Sequence, residues 1–245
     1  MIVGSDAQRI DSGRCKKDLI LLLMLFVLLL LPAATSNSAL PLETVSATIS
    51  LINSKADDFS NVAIWLEPLS GKPRLDNDER LSMHQRVKEF FPHVLIATVG
   101  QQVDFPNDDP FQHNVFSSSE VKKFDLGIFQ SGQSRGVMFT RPGIVPIYCN
   151  IHPQMEGFVI VLQTPFYGLS DEKGDIQIKN VPQGSYRFRV WHEMAKSETL
   201  ENLSKQIMVG NSGANLGAIK IDEGDFVPLP HKDKEGGDYN PYPIK

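Results

Sequence analysis

Cysteine is scarce in this sequence: the 245 residues contain only two, Cys15 and Cys149. Cys15 lies just before an apolar run near the N-terminus, in a segment that we expect to be removed from the mature chain. The one cysteine that remains cannot form an internal disulfide. A lone cysteine is often a small buried apolar side chain, so the residues around Cys149 decide whether it has another role.

The sequence also lacks an apolar run of membrane-spanning length in this N-terminal region. The run at residues 19–31 has thirteen residues, fewer than the roughly 20 that a transmembrane helix needs. Basic residues precede it and small polar residues follow it, as in a secretory signal. We therefore predict that residues 1–39 are a signal peptide, cleaved after Ser36 or Ala39, and that the protein is periplasmic or otherwise exported. The alternative is an uncleaved segment that anchors the chain at the membrane interface.

An excess of positive charge is missing as well. The net charge is -5, and it becomes -6 without residues 1–39, which carry four basic and three acidic residues. Such a mildly acidic chain is not expected to bind nucleic acid. It is compatible with docking on a basic cytochrome or enzyme, because complementary charge raises encounter rates.

No long amphipathic helix is evident; residues 81–90 and 195–203 are the only two segments that we expect could form short ones. Residues 44–51 instead alternate strictly between apolar and polar side chains, as in a half-buried strand. Similar short runs, rich in branched and aromatic residues and separated by turn residues, recur at 62–66, 94–99, 137–140, 158–162, 186–191 and 206–209. This pattern predicts an all-β protein made of two sandwiches. We place the first at residues 40–163 and the second at 164–225, with an irregular tail at 226–245.

Three potential metal ligands lie within seven residues: Cys149, His152 and Met155. A further histidine, His113, lies upstream and is followed by Asn114. Two histidines and a cysteine in a plane, with a weak axial methionine, form a blue-copper site. We therefore predict one type 1 copper ion bound by His113, Cys149, His152 and Met155. We predict that Asn114 supports the site through its backbone amide and its side chain, although an ordinary turn residue is the alternative.

Other copper chemistry lacks the residues that it needs. A binuclear centre requires two thiolates, a multicopper oxidase requires His-x-His pairs, and an open catalytic centre requires more histidines. We interpret His84, His93, His192 and Met83 as surface or packing residues. With four protein ligands on the metal, no open position is expected, so we predict neither enzymatic activity nor a small-molecule substrate.

Residues 60–163 resemble a cupredoxin. More closely, the sequence resembles exported methylamine-utilisation-like proteins, in which a cupredoxin precedes a carboxypeptidase-regulatory-like sandwich. The motifs that carry this resemblance are Phe-Phe-Pro-His-Val-Leu at 90–95, Val-Asp-Phe-Pro-Asn at 103–107, His-Asn-Val-Phe-Ser at 113–117 and Cys-Asn-Ile-His-Pro at 149–153. In the predicted second sandwich, the turns at 171–174 and 180–186 resemble the recurrent turns of the carboxypeptidase-regulatory-like sandwich. The resemblance implies a cupredoxin-like Greek-key β-sandwich followed by a small carboxypeptidase-regulatory-like β-sandwich, and does not by itself implicate methylamine.

Two functions remain open from the sequence. The first is a periplasmic one-electron carrier whose partner is a redox protein, such as a c-type cytochrome or a periplasmic dehydrogenase. The second is a copper-binding or sensing adaptor, whose second sandwich docks a protein or a polysaccharide.

Overall fold

The structure is a computed structural model, which describes residue 1 and residues 41–55, 57–224, 226–227 and 230–239. The predicted signal peptide, residues 1–39, therefore lies outside the described residues except for Met1. Residues 41–239 belong to one compact unit, Leu40–Lys245. Within the described part of the chain, no helix is long and apolar enough to cross a membrane.

The described residues form seventeen strands and one short helix, α1 (Ser197–Leu203). The predicted all-β fold class is confirmed. In chain order the strands are β1 (Leu42–Ile52), β2 (Ala63–Pro68), β3 (Leu81–Ser82), β4 (His84–Arg86), β5 (Glu89–Phe91), β6 (Val94–Thr98), β7 (Gln102–Pro106), β8 (His113–Ser117), β9 (Phe124–Phe129), β10 (Ser134–Met138), β11 (Gly143–Tyr148), β12 (Glu156–Leu162), β13 (Tyr167–Leu169), β14 (Asp175–Pro182), β15 (Gly184–Trp191), β16 (Lys205–Val209) and β17 (Ala214–Asp222).

The first sandwich contains the candidate ligands. Its larger sheet has the strand order β6-β12-β11-β8-β9, and its smaller sheet has the order β10-β7-β3. The two sheets share one apolar core, to which β7 contributes Phe105, β9 contributes Phe129 and β11 contributes Ile147. Cys149 and Met155 belong to the same buried cluster. The candidate ligands are therefore set into the end of a packed core.

The second sandwich is built from both ends of the described chain. One sheet has the order β14-β1-β17 and the other the order β13-β2-β15-β16. Strand β1 pairs antiparallel with β14 and parallel with β17, and β2 pairs antiparallel with β13 and β15. Apolar side chains of β1, β2, β14 and β15 form one core between the sheets.

This topology corrects the predicted boundaries of the two sandwiches. The sequence predicts that residues 40–163 form the first sandwich, but β1 and β2 pair with strands that lie between residues 167 and 222. The alternating pattern of residues 44–51 shows that one face of the strand is buried. It does not show which sheet buries that face, because the partner strands lie more than a hundred residues away in the sequence.

Strand β12 joins the two sandwiches because both of its faces are buried. Val159 and Val161 point into the core of the first sandwich. Phe158, Ile160 and Leu162 alternate with them and form a separate cluster with residues of β6 and β2. The ring of Phe158 lies 5.0 Å from that of Trp191 in β15. The sandwiches therefore share an apolar interface rather than a flexible linker.

The two predicted short helices have different outcomes. Residues 197–203 are helical, as α1. Residues 81–90 instead form β3, β4 and the start of β5, so that prediction is wrong. Between β4 and β5, Val87 and Lys88 adopt φ angles of 57° and 58°, which is a hairpin-turn conformation. The resulting turn reaches the candidate metal site.

Candidate metal centre

The loop of residues 149–155, called the metal loop below, connects the antiparallel strands β11 and β12. Tyr148 pairs with Glu156 at the base of the loop. Inside it, the Cys149 amide donates to the Met155 carbonyl at 3.3 Å, and the Met155 amide donates to the His152 carbonyl at 3.0 Å. A loop closed in this way fixes the spacing of its three candidate ligands.

Strand β8 brings His113 to the metal loop. In the sheet, β8 lies between β11 and β9, and it pairs with β11 through Phe116 and Tyr148. His113 Nδ1 and His152 Nδ1 each lie 3.8 Å from Cys149 Sγ, and the two nitrogens lie 3.1 Å apart. Among the described residues, these three form the one group of at least three His, Cys, Asp or Glu side chains with converging donor atoms.

These donors fit one transition-metal ion. Nitrogen and sulfur ligands typically lie about 2.0 to 2.3 Å from such an ion, so ligands that share it are roughly 3 to 4 Å apart. An imidazole–imidazole–thiolate set favours copper. The thioether of Met155 is fully buried at the end of the same loop, and its role as the axial ligand stays a prediction.

The buried carboxylate of Asp109 fixes the orientation of His113. The His113 ring is fully buried, and its Nε2 lies 2.8 Å from Asp109 Oδ2. A carboxylate accepts, so Nε2 carries the proton and Nδ1 presents its lone pair toward Cys149 and His152. The sequence alone had not identified Asp109 as part of the site.

The β4–β5 turn holds Asp109 in place. The amides of Val87 and Lys88 donate to its two carboxylate oxygens at 2.6 and 2.9 Å. Burial by itself would raise the pKa of Asp109. The hydrogen bonds from Lys88, His113 and Val87 outweigh burial and hold this pKa below its ordinary value. Asp109 therefore stays ionised beside the histidine that it orients.

The surroundings of Cys149 oppose its ionisation until a cation is present. Burial raises the pKa of the thiol. Backbone N–H groups of Asn114, Ile151 and His152 act in the other direction, because they donate to the sulfur and stabilise the thiolate. A bound metal would displace the proton from this thiol. The three amides are then already placed to donate hydrogen bonds to the thiolate.

Asn114 links strand β8 to the metal loop. Its Oδ1 accepts the amide of Asn150 at 3.3 Å, and its Nδ2 donates to Asp125 Oδ1 in β9 at 2.7 Å. Its backbone amide is one of the three that donate to the Cys149 sulfur. Asp125 of β9 therefore supports the metal loop through Asn114. The sequence had singled out Asn114 but not Asp125.

His152 lies at the more exposed side of the site. It is partly exposed, whereas His113 and Cys149 are fully buried. Burial is the main cause that lowers the pKa of His152, and the electrostatic effects of His113 and Lys88 act in the same direction. The lower pKa favours the neutral imidazole that a metal requires. Phe111 packs against both imidazoles, with ring centroids 5.3 Å from His113 and 5.8 Å from His152.

The histidines interpreted above as surface or packing residues lie outside this group. His84, His93 and His192 each pair with one carboxylate, on Asp108, Glu193 and Glu223 respectively. In the described chain, none of them belongs to a converging group of donors. Met83 is buried in the core of the first sandwich.

Comparison with known proteins gives partial structural similarities only. No protein-family model matches the sequence, and no curated protein matches it. A purple cupredoxin from Nitrosopumilus maritimus is 23% identical over 34% of this chain and 99% of its own, with a TM-score of 0.31. A reduced amicyanin mutant is 24% identical over 35% of this chain and 84% of its own, with a TM-score of 0.33.

A copper-containing nitrite reductase from Thermus scotoductus gives a similar result. It is 24% identical over 39% of this chain and 25% of its own, with a TM-score of 0.34. All three TM-scores lie below 0.5, so the candidate centre is defined by the donor atoms and hydrogen bonds of this chain.

Proposed function

We propose that this protein is a type 1 copper protein that carries single electrons between redox proteins. The observation that carries the proposal is the convergence of two imidazole nitrogens and one thiol sulfur at distances of 3.1 to 3.8 Å. In this proposal His113, Cys149 and His152 would hold the copper together with Met155, the weakest of the four ligands. The bound copper supplies the one-electron chemistry by alternating between two oxidation states.

The residues around the ligands support a site that changes little when it gains or loses an electron. Asp109 holds the ring of His113 in one orientation. Cys149 and Met155 are anchored in the apolar core of the first sandwich. Because the supporting side chains are themselves packed or hydrogen-bonded, the ligands have little freedom to rearrange. We further propose that the electron passes through the partly exposed His152, and that the filled ligand set leaves no position for a substrate.

The proposed partner is a redox protein that meets the His152 side of the molecule, such as a c-type cytochrome or a periplasmic dehydrogenase. The chain without residues 1–39 has a net charge of -6, which suits a basic docking face on the partner. Export into the periplasm, with residues 1–39 acting as the signal, is part of the same proposal.

Copper loading of the full chain tests this proposal. We expect one copper ion per chain, an intense blue colour, reversible bleaching by a mild reductant, and rapid electron exchange with a c-type cytochrome. Cys149→Ser should stay folded by circular dichroism but lose the blue colour, because the colour arises from the copper–thiolate bond. A serine variant that remains blue would disprove the role of Cys149. A protein whose copper does not cycle would instead support a copper-binding adaptor.

A further inference from the structure

The C-terminal residues 231–239, called the strap below, lie against the metal loop. Three strap residues contact it by hydrogen bonds. Tyr239 donates its hydroxyl to the Cys149 carbonyl at 2.9 Å, and the Lys234 amide donates to Asn150 Oδ1 at 2.9 Å. His231 Nε2 lies 2.7 Å from the Pro153 carbonyl, which can only accept. The strap thus satisfies acceptors on Cys149, Asn150 and Pro153, on both sides of Ile151.

The strap has a defined shape of its own. The carboxylate of Asp233 accepts the amides of Glu235 and Gly237 at 3.0 and 2.7 Å. The backbone closes a turn there, with the Asp233 amide donating to the Gly237 carbonyl at 2.9 Å. Gly236 has a φ of 87°, a conformation that favours glycine. Because of this turn, Lys234 and Tyr239 can both reach the metal loop.

An aromatic stack adds an apolar contact to these hydrogen bonds. The His231 ring lies 4.0 Å from the Tyr148 ring, with an interplanar angle of 18°. The Tyr239 ring packs edge-on against the His231 ring, and their centroids lie 5.1 Å apart. Tyr148 directly precedes Cys149 and ends β11. The strap therefore holds the base of the metal loop as well as its tip.

A ring of side chains connects the strap to the residues that support Cys149. Lys234 Nζ lies 2.8 Å from Asp125 Oδ2. The other oxygen of Asp125 accepts from Asn114, whose Oδ1 in turn accepts the Asn150 amide. The Asn150 side chain then accepts the Lys234 amide. The ring closes on itself, and loss of the strap would open it at two points.

We propose that the strap positions the metal loop, holding it in its metal-binding shape before copper enters and slowing its opening afterwards. The second part of the proposal, slow opening of the loop, rests on the proposed function, because it implies slow copper release only if the loop holds copper. The first part, the shape of the loop before copper enters, concerns the metal-free chain alone. Tyr239, Lys234 and His231 are positioning residues, because none of them supplies a donor atom to the three-ligand group.

Matched double variants of the full chain test the proposal. The double variant Tyr239→Phe with Lys234→Met removes the hydrogen bond from the Tyr239 hydroxyl to the Cys149 carbonyl and the ion pair between Lys234 and Asp125. The control, Tyr186→Phe with Arg189→Met, removes a hydroxyl-to-carbonyl hydrogen bond and the ion pair of a basic side chain outside the strap. Tyr186 donates to the Pro182 carbonyl at 2.7 Å, and Arg189 Nε lies 3.4 Å from Glu67 Oε2, both in the second sandwich.

Hydrogen exchange in the metal-free protein is the first measurement. The amides of Cys149, Asn150 and Met155 are hydrogen-bonded within the site, so their exchange reports opening of the metal loop. Each intramolecular hydrogen bond changes such an equilibrium by about two- to tenfold. We expect about tenfold faster exchange of these amides in the strap variant and less than about twofold in the control.

Copper transfer to a chelator is the second measurement. We expect release from the strap variant to be faster by a similar factor of about two- to tenfold, with release from the control close to that of the unaltered protein. Unchanged loop exchange in the strap variant overturns the proposal, as does equal acceleration in the control. Faster exchange with unchanged copper release also overturns it. If the unaltered protein binds no copper, the proposed function fails and the exchange data alone decide the role of the strap.

Discussion

At the scale of single residues, the pairing of Asp109 with His113 shows how a ligand is prepared before a metal arrives. A free imidazole can carry its proton on either nitrogen. Here the carboxylate at Nε2, 2.8 Å away, selects the tautomer in which Nδ1 faces Cys149. The Asp109 side chain is in turn held by two backbone amides of the β4–β5 turn. The geometry of the site thus extends back to a hairpin some twenty residues earlier in the chain.

The first prediction at this scale concerns Asp109→Asn. The amide is nearly the same size but has no charge, and it can present an N–H to His113. We expect copper affinity to fall about 10- to 100-fold, as for other residues that orient metal-bound histidines. Competition with a chelator measures the affinity. Circular dichroism of the metal-free variant checks that the fold is kept.

Asp108→Asn is the matched control for this prediction. Asp108 directly precedes Asp109 in the sequence and pairs with His84 at the surface, 2.7 Å away. We expect its copper affinity to change less than about twofold, because surface pairs contribute little. An equal loss in both variants would mean that charge near the site, rather than orientation of His113, sets the affinity.

The three converging donors could be predicted from residue types and spacing, whereas their supports could not. Cys149 and His152 lie three residues apart, and a soft thiolate beside an imidazole is a strong indication of a metal site. Asp109 lies four residues before His113, and a lone aspartate at that distance is common in loops. Tyr239 contacts Cys149 across ninety residues of sequence. A tail rich in charge, glycine and proline does not indicate which surface it covers.

At the scale of elements, β12 determines how the two sandwiches fit together. Its seven residues are buried along nearly their whole length, with one face in each of two cores. A continuous apolar run is typical of a strand covered on both faces. Residues 158–162 have that run, and the predicted boundary at residue 163 assigned them to the first sandwich alone. The burial of the second face of this strand was not predicted.

Ile160→Ala tests the apolar interface between the sandwiches. Ile160 is fully buried in the cluster formed by β12, β6 and β2. We expect the free energy of unfolding to fall by about 2 to 5 kcal/mol, because the truncation leaves a cavity that packed neighbours cannot fill. Denaturant unfolding of the metal-free protein measures it. The blue absorption of the copper-loaded protein should remain.

Ile128→Ala is the control for this substitution. Ile128 lies in β9 and is 57% exposed, so its truncation should change stability by less than about 1 kcal/mol. If both variants were equally stable, the cluster around Ile160 would not contribute to holding the sandwiches together.

The misassigned segment at residues 81–90 has a physical explanation at the same scale. Its apolar residues are spaced in a way that suits either a short helix or a bent hairpin, and short apolar runs are ambiguous between the two. The positive φ angles of Val87 and Lys88 decide for the hairpin. Neither residue type favours that conformation, so the sequence gives little indication of the turn. The amides of this turn bind Asp109, which offers a compensating interaction.

At the scale of the whole molecule, the second sandwich is completed by the first part of the chain. Strands β1 and β2 cross over from the beginning of the described residues to pair with β14, β17, β13 and β15. A chain that ended at residue 163 would leave β1 and β2 without their partners and would expose the outer face of β12. Linear boundaries inferred from turn residues cannot show such a crossover, because strand pairing is a non-local property. The two sandwiches are therefore better altered by substitution than by truncation.

An ion pair between the sandwiches gives the last prediction, which concerns pH. His93 follows β5, and its Nε2 lies 2.9 Å from Glu193 Oε2, just beyond β15. The hydrogen bond to Glu193 is the largest influence on His93 and raises its pKa, with smaller contributions from Glu156, while burial acts in the opposite direction. A raised histidine pKa means that the folded state binds the proton more tightly than the unfolded state does.

The stabilisation from this pair is therefore complete below the unfolded pKa of His93, about 6.5, and is lost as the pH rises through the higher folded value. His93→Gln should be less stable than the unaltered protein by up to about 1 kcal/mol in mildly acidic solution, and this difference should shrink as the pH increases. Denaturant unfolding at a series of pH values measures the difference, and carboxylates common to both proteins cancel from it. Glu193→Gln should remove the same pH-dependent part, and the double variant should lose no more than either single one. A difference that stays constant or grows with pH would show that protonated His93 does not hold the two sandwiches together.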